Sequence, residues 1–545
     1  MLNVPRPAAT LIVSLTMLIT ASGWVGAAGI LDSKHNLSVS GPGSIKASSE
    51  ERVCIFCHTP HHANPSTPLW SRPTSTAVYD LYESTTLVAK PGQPSGSARL
   101  CLSCHDGTIA IGAFYGSSEY IPMAGGITTL PANLTTNLKT DLGNDHPISF
   151  AYTNELAQLN GQLNLPGSLP PKIRLEEGGM LQCTACHNPH TNPYGKFLVI
   201  DNATSGLCTA CHNITGWSTS IHATDPSTAA GCTLCHASHN AGGRARLLKL
   251  AAEEANCYQC HSASGGAKDI QSAATKFYNH PMAATTGIHD PTENPLTAQK
   301  HVECSDCHNP HQALTTSATA PVAPGSLAGV KGVSSVGTVL PSAATNEYEV
   351  CFRCHAENSF YATQTVLRQI QELNTRLDFD PLNPSFHPVL AIGKGNQVPS
   401  LRTQYSTSSM IYCTDCHAND DSSQAKGPHG SNIKHILVAR YEDDIYPLVY
   451  SEANYALCFR CHDQNVLLDP AKSAFPPHQS HVVTNKVPCS VCHDPHGVPQ
   501  TRGATVNANA HLINFDIRFV ISGGTYNSTA KSCTVSCHAL NPHYY

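Results

Sequence analysis

Residues 183–212 read CTACHNPHTNPYGKFLVIDNATSGLCTACH. Two C-x-x-C pairs stand 25 residues apart, each followed at once by a histidine, and the first by a further histidine, His190, three residues on. Working outward, the same unit recurs along the chain. The pairs are Cys54/Cys57 with His58, Cys101/Cys104 with His105, Cys183/Cys186 with His187, and Cys208/Cys211 with His212. Next come Cys232/Cys235 with His236, Cys257/Cys260 with His261, Cys304/Cys307 with His308, and Cys351/Cys354 with His355. Cys413/Cys416 with His417, Cys458/Cys461 with His462 and Cys489/Cys492 with His493 complete a regular set of eleven. A twelfth pair, Cys533/Cys537 with His538, has three intervening residues. These twelve pairs use all 24 cysteines.

Zinc sites and disulfides also use C-x-x-C spacing, but neither needs a histidine immediately afterwards. C-x-x-C-H is the attachment signature of c-type haem, in which two thiols bond the macrocycle and the adjacent imidazole is the proximal iron ligand. The sequence therefore implies twelve haem c groups, eleven in regular motifs and one in C-x-x-x-C-H.

The motifs alternate between two kinds. One carries a histidine three residues after the proximal one, as in CIFCHTPHH at 54, CTACHNPH at 183, CTLCHASH at 232, CSDCHNPH at 304 and CSVCHDPH at 489. The motif at Cys413 joins this set with its PHG displaced to Pro428–Gly430. The other kind lacks the extra histidine. Six two-haem modules follow, at 29–115, 116–220, 221–275, 276–362, 363–470 and 471–545. Each also has an upstream histidine: His35, His146, His222, His280, His387, and His481 or His478. With His61, His190, His239, His311, His429 and His496 from the downstream elements, twelve histidines stand as candidate distal ligands. Methionine cannot fill that role generally, since beyond residue 28 only Met123, Met180, Met282 and Met410 occur. Bis-histidine iron is expected, at lower potential than His/Met iron. Seven histidines remain: His62, His289, His301, His435, His478, His511 and His543. They read as surface or haem-propionate contacts, with His301, His435, His478 and His511 as substitutes for a misassigned ligand.

Residues 1–28 read as a signal peptide, with Arg6 before an apolar stretch from Ala8 to Ile19 and small residues around Gly26–Ala28. No later segment is apolar enough to span a bilayer. The net charge of −6 and the lack of a basic tract argue against a nucleic-acid partner. Gly and Pro at 38 each favour irregular backbone. The expected fold is loops and short α-helices wrapped round a haem chain, with little β. Helical composition marks the segment before Cys351, 244–256 and 363–377. Alternating Ile513, Phe515, Ile517, Phe519 and Ile521 suggest a strand. Segment 312–345 reads as a loop or linker, and 106–182 carries no interpretable motif.

The CHNPH, CHDPH and CHTPH elements, the HP dipeptides at His146, His280 and His387, and the paired second motifs resemble the doubled-CxxCH multihaem cytochromes of metal-respiring bacteria. The resemblance runs from Ser33 to His538. It implies covalent haem c, bis-histidine ligation, a close-spaced haem chain and respiratory electron transfer to extracellular acceptors or other redox proteins. Location outside the cell or on its surface is implied, with the periplasm as the alternative. Some relatives polymerise into haem-lined filaments, so a homopolymer is a further expectation, while others sit inside outer-membrane conduits. The competing reading is a multihaem nitrite, hydroxylamine or tetrathionate oxidoreductase with one open iron. No C-x-x-C-K motif supports that reading, so no catalytic residue is assigned.

Overall fold

The computed structural model describes residues 29–282, 287–358, 366–395, 397–443, 445–521, 524–538 and 542–544. The expected signal peptide lies outside the described residues. Regular structure is sparse, as the Gly and Pro content requires. The longest described helix is Gly96–His105, followed by Glu347–His355 and Asn154–Asn160. Among the described residues nine short strands make four small antiparallel sheets: β1 (Phe150–Ala151) with β2 (Met180–Leu181), β3 (Tyr278–Asn279) with β6 (Gly430–Ser431), β4 (Lys331–Val333) with β5 (Val339–Ala343), and β7 (Thr525–Asn527), β8 (Ser532–Thr534) and β9 (Pro542–Tyr544) in order.

Buried apolar side chains fall into separate small clusters instead of one core. The cluster of Phe150, Tyr152, Ile173, Leu181, Ala185 and Ala210 borders Cys211. Clusters around Phe352, Val491, Phe56 and Tyr455 likewise border Cys413, Cys492, Cys57 and Cys458. The apolar groups thus gather where cysteines present their sulphurs. Buried arginines tie neighbouring motifs together. Arg72, 1% exposed, donates to the carbonyls of Ser103 and Ala110 and to the Ser103 hydroxyl. Arg353 donates to the Asp306 carbonyl, and Arg368 to those of Ser490 and Asn514. A guanidinium has five donors, which lets one buried side chain satisfy several loop carbonyls that lack sheet partners.

Local expectations fared unevenly. The segment before Cys351 is helical, and its start is fixed by a capping box: the Asn346 side chain and the Glu349 carboxylate each accept from the other's end of the turn. Within 244–256 only Glu253 onwards is helical, because the loop at Arg246 and Leu247 adopts left-handed backbone. Of 363–377, residues 363–365 lie outside the described residues, and the helix present is Thr375–Asp378. The expected strand at 513–521 does not form. Asp516 closes a turn by accepting from the amides of Phe519 and Val520, and its carboxylate holds Arg518. Segment 312–345 contains the β4–β5 hairpin. Segment 106–182 contains β1, β2 and the helix Asn154–Asn160, and it packs against Ala185 and Ala210.

A chain whose apolar groups are dispersed around its cysteines cannot bury enough surface to offset the entropy of ordering over 500 residues. Protein produced without haem attachment is therefore expected to show a disordered far-ultraviolet circular dichroism spectrum. A cooperative thermal transition in that apo form would refute the expectation.

Candidate functional site

The local geometry of the motifs follows from one hydrogen bond. In C-x-x-C-H the histidine amide donates to the carbonyl of the first cysteine: His58 to Cys54 at 2.8 Å, His187 to Cys183 at 2.9 Å, and likewise for His212, His236, His261, His308, His417, His462 and His493. Positions i, i+3 and i+4 of such a turn share one face, so both sulphurs and the imidazole project together. The twelfth motif differs. Cys533 lies in β8 while Cys537 and His538 form a separate turn, and the His538 amide donates to Val535.

Eleven of the twelve proximal rings face a second imidazole. Ring centres are 6.2 Å apart for His105 and His35, His58 and His190, His212 and His146, and His355 and His280. They are 6.1 Å apart for His187 and His239 and for His236 and His311, and 6.3 Å for His261 and His222. His308 and His429, and His417 and His496, are at 6.0 Å; His493 and His478 at 6.3 Å; His538 and His481 at 5.8 Å. The remaining proximal ring, His462, neighbours His387. A metal–imidazole bond is about 2.0–2.1 Å and the ring centre lies about 1.1 Å further out, so two rings axial to one metal sit about 6.2–6.4 Å apart. The residues therefore fit haem held between paired imidazoles.

The pairing follows a register. In five modules the second proximal histidine faces the upstream histidine of the same module, and in module five His462 neighbours the upstream His387. The first faces the downstream histidine of the next module: His58 with His190, His187 with His239, His236 with His311, His308 with His429, His417 with His496. In module six, His493 faces His478, a residue the sequence leaves among its spares. His61 is exposed, and the ring across from His58 is His190.

Backbone carbonyls orient these rings. The Nδ1 of His105, His187, His236, His308, His417 and His493 donates to the carbonyl of Thr136, Lys196, Arg246, Ser326, His435 and His511, at 2.8–2.9 Å. Lys196, Arg246, His435 and His511 adopt left-handed backbone to bring those carbonyls round. Two of the spare histidines, His435 and His511, thus serve through their main chain. The His435 ring pairs with Asp443 at 2.9 Å. On the opposite side, His222 and His280 donate to Pro310 and Pro428 at 2.9 and 2.8 Å, and His387 to Pro495. Each is the proline of the following module's PH element, which gives that proline a structural reason. His239 Nδ1 pairs instead with buried Asp145 at 2.8 Å. A carbonyl can only accept, so Nδ1 carries the proton and Nε2 keeps its lone pair for a metal. Burial first, then neighbouring imidazoles, pulls His212, His311, His355, His429 and His462 down to about 4, and His478 to about 3. Rings so placed are neutral, as ligation requires.

Consecutive motifs are also adjacent in space. Across module boundaries the first cysteines touch: Cys101 with Cys183, Cys208 with Cys232, Cys257 with Cys304, Cys351 with Cys413, and Cys458 with Cys489. Within modules, Cys57 lies near Cys104, Cys186 near Cys211, Cys235 near Cys260, Cys307 near Cys351, Cys416 near Cys461, and Cys492 near Cys533. The twelve attachment points form one unbroken file in sequence order.

Thiol pairs, adjacent imidazoles and facing rings repeated in this way define a multihaem c-type cytochrome. Residues 176–215 and 225–266 each match the doubled CXXCH motif, and residues 334–504 match the family described as outer membrane cytochrome MtrC/MtrF-like, domains II/IV. Those matches support a multihaem c-type cytochrome of metal-respiring bacteria, a class that transfers electrons. No curated protein matches the sequence. Among the described residues no helix is long and apolar enough to cross a membrane.

The irregular twelfth motif keeps a facing ring pair, His538 and His481, and places both of its thiols near Cys492. Intact-mass spectrometry of the denatured holoprotein is expected to show twelve covalent haems, and Cys533→Ser with Cys537→Ser to lose one. An unmodified mass consistent with eleven would remove the twelfth site.

Proposed function

We propose that this protein conducts electrons along a file of twelve bis-histidine haems c as an exported respiratory cytochrome, acting at the outer cell surface or beyond it. The observation that carries the reading is the unbroken adjacency of attachment cysteines from Cys54 to Cys537 in sequence order. Haem iron supplies one-electron Fe(III)/Fe(II) chemistry when bound. The chain's own part is to hold each pair of neutral imidazoles in place and to keep successive sites close. Nδ1 hydrogen bonds to backbone carbonyls fix six of the proximal rings, and His222, His280 and His387 on the opposite side, so the chain itself sets how those rings are presented. Proximal ligands are the twelve motif histidines. Distal ligands are His35, His146, His190, His222, His239, His280, His311, His387, His429, His478, His481 and His496, with His478 taking the place that the sequence pattern gave to His61. Partners are other redox proteins or extracellular acceptors. A file ending in the motifs at Cys54 and Cys533 is one that a homopolymer would extend, and electron microscopy of the purified protein tests for filaments.

The enzyme reading requires an iron with an open position. A carbon monoxide difference spectrum of the dithionite-reduced holoprotein is expected to show no change, since carbon monoxide needs a vacant or weakly held site. A change equal to one haem in the wild type would transfer the case to catalysis. His478→Ala should create one such site, whereas His61→Ala should create none; the reverse result would restore His61 as a ligand.

A further inference from the structure

His289 and His301 belong to none of the facing pairs just described, yet their ring centres stand 6.4 Å apart. No cysteine is left over for another covalent haem, and the gap between these rings is walled by carboxylates. His289 Nδ1 lies 3.4 Å from Asp306 Oδ1 and 3.7 Å from Glu303 Oε2. His301 Nε2 lies 3.2 Å from Glu293 Oε2 and 3.7 Å from Asp306 Oδ2. One ligand atom from each of His289, His301, Glu303 and Asp306 can be chosen so that all lie within 4.8 Å of one another. Oxygen walls that close leave no space for a macrocycle, but they suit a bare ion.

Two further facts indicate that something belongs there. The His289 side chain is only 8% exposed, and its Nδ1 makes no hydrogen bond. A buried polar atom without a partner is costly. The charges are also unbalanced. The carboxylates of Glu253, Glu293, Glu303 and Asp306 converge, and among the described residues Arg353 is the permanent cation paired with them. Buried charges are paired or coordinate metal.

We propose that His289, His301, Glu303 and Asp306 hold a divalent first-row transition-metal ion, distinct from the haem irons. Bonds of about 2.0–2.2 Å to imidazole and carboxylate in a tetrahedral arrangement put the four ligand atoms about 3.3–3.6 Å apart. The closest imidazole–carboxylate pairs, at 3.4–3.7 Å, are already near that spacing, and the widest pair, within 4.8 Å, would close by about 1 Å. Imidazole with carboxylate and no thiolate selects zinc, manganese or ferrous iron over copper(I) or an iron–sulfur cluster. The supporting shell is in place. His301 Nδ1 donates to the Gln299 carbonyl at 2.6 Å, leaving Nε2 for the ion. Arg353 donates to Asp306 and Glu293 and holds both carboxylates in position. Glu253 accepts from the amides of His289 and Ser305, pinning the two segments that carry the ligands. The ion would link the segment of His289 and His301 to the turn bearing Cys304 and Cys307.

The test uses full-length, haem-loaded protein stripped with chelator, incubated with zinc(II) and passed through gel filtration. Elemental analysis distinguishes zinc from haem iron. About one zinc per chain is expected for the wild type, and at least about tenfold less for His289→Ala and Glu303→Gln, at unchanged haem content by pyridine haemochrome. Failure of the wild type to retain zinc, or equal retention by both variants, would overturn the proposal. Should the variants misfold, wild-type protein loaded with manganese(II) decides: nitrogen couplings from imidazole in its electron paramagnetic resonance are expected, and a purely aquo-ion signal would count against the site.

Discussion

The hydrogen bond from the motif histidine amide to the first cysteine carbonyl, made in the regular C-x-x-C-H motifs and not in the twelfth, is the constraint on which the rest of the molecule depends. It forces two sulphurs and an imidazole onto one face of a single turn. A turn so short cannot cover what it holds, so the remaining chain must supply the opposite imidazole and the apolar walls. That requirement explains the scattered clusters, the sparse sheet and the buried arginines. Each arginine binds carbonyls of loops that regular structure would otherwise have paired.

Much of the site was legible in the sequence because its chemistry is written locally. Attachment cysteines and adjacent histidines are fixed by spacing, and counting singles out His35 and His146 as candidate distal ligands, without saying which proximal ring each one faces. The register of the other set was not legible. Nothing in CTACHNPH says that His190 faces His58 from the preceding module, since that depends on how the intervening loops fold back. His478 stands in the sequence only as an alternative to His481 for the same reason. Two histidines three residues apart, in a segment with a π-helical turn at Ser480–Thr484, face different proximal rings, and spacing alone assigns only one. The alternation from Ile513 to Ile521 misled because pattern competes with capping chemistry. The Asp516 carboxylate accepts from the Arg518 amide and guanidinium, and its carbonyl accepts from the amides of Phe519 and Val520, which turns the chain where a strand would continue.

The carbonyl contacts also account for residues that looked incidental. Proline in the PH elements offers an acceptor and no competing donor, so its carbonyl is free to hold the ring of another module. His435 and His511 act through left-handed main chain, a conformation that side-chain reasoning does not anticipate.

The offset register makes the array directional. Because each module after the first lends one ring backward, an extra module inserted between two others would find a lender and a borrower already waiting, and the tally of facing rings would stay balanced. Removal of the last module would strand the one before it. The end of such an array therefore has to be terminated by a local substitute, and His478 occupies that position. A chain built this way can lengthen by internal duplication far more easily than it can be shortened from its C-terminal side.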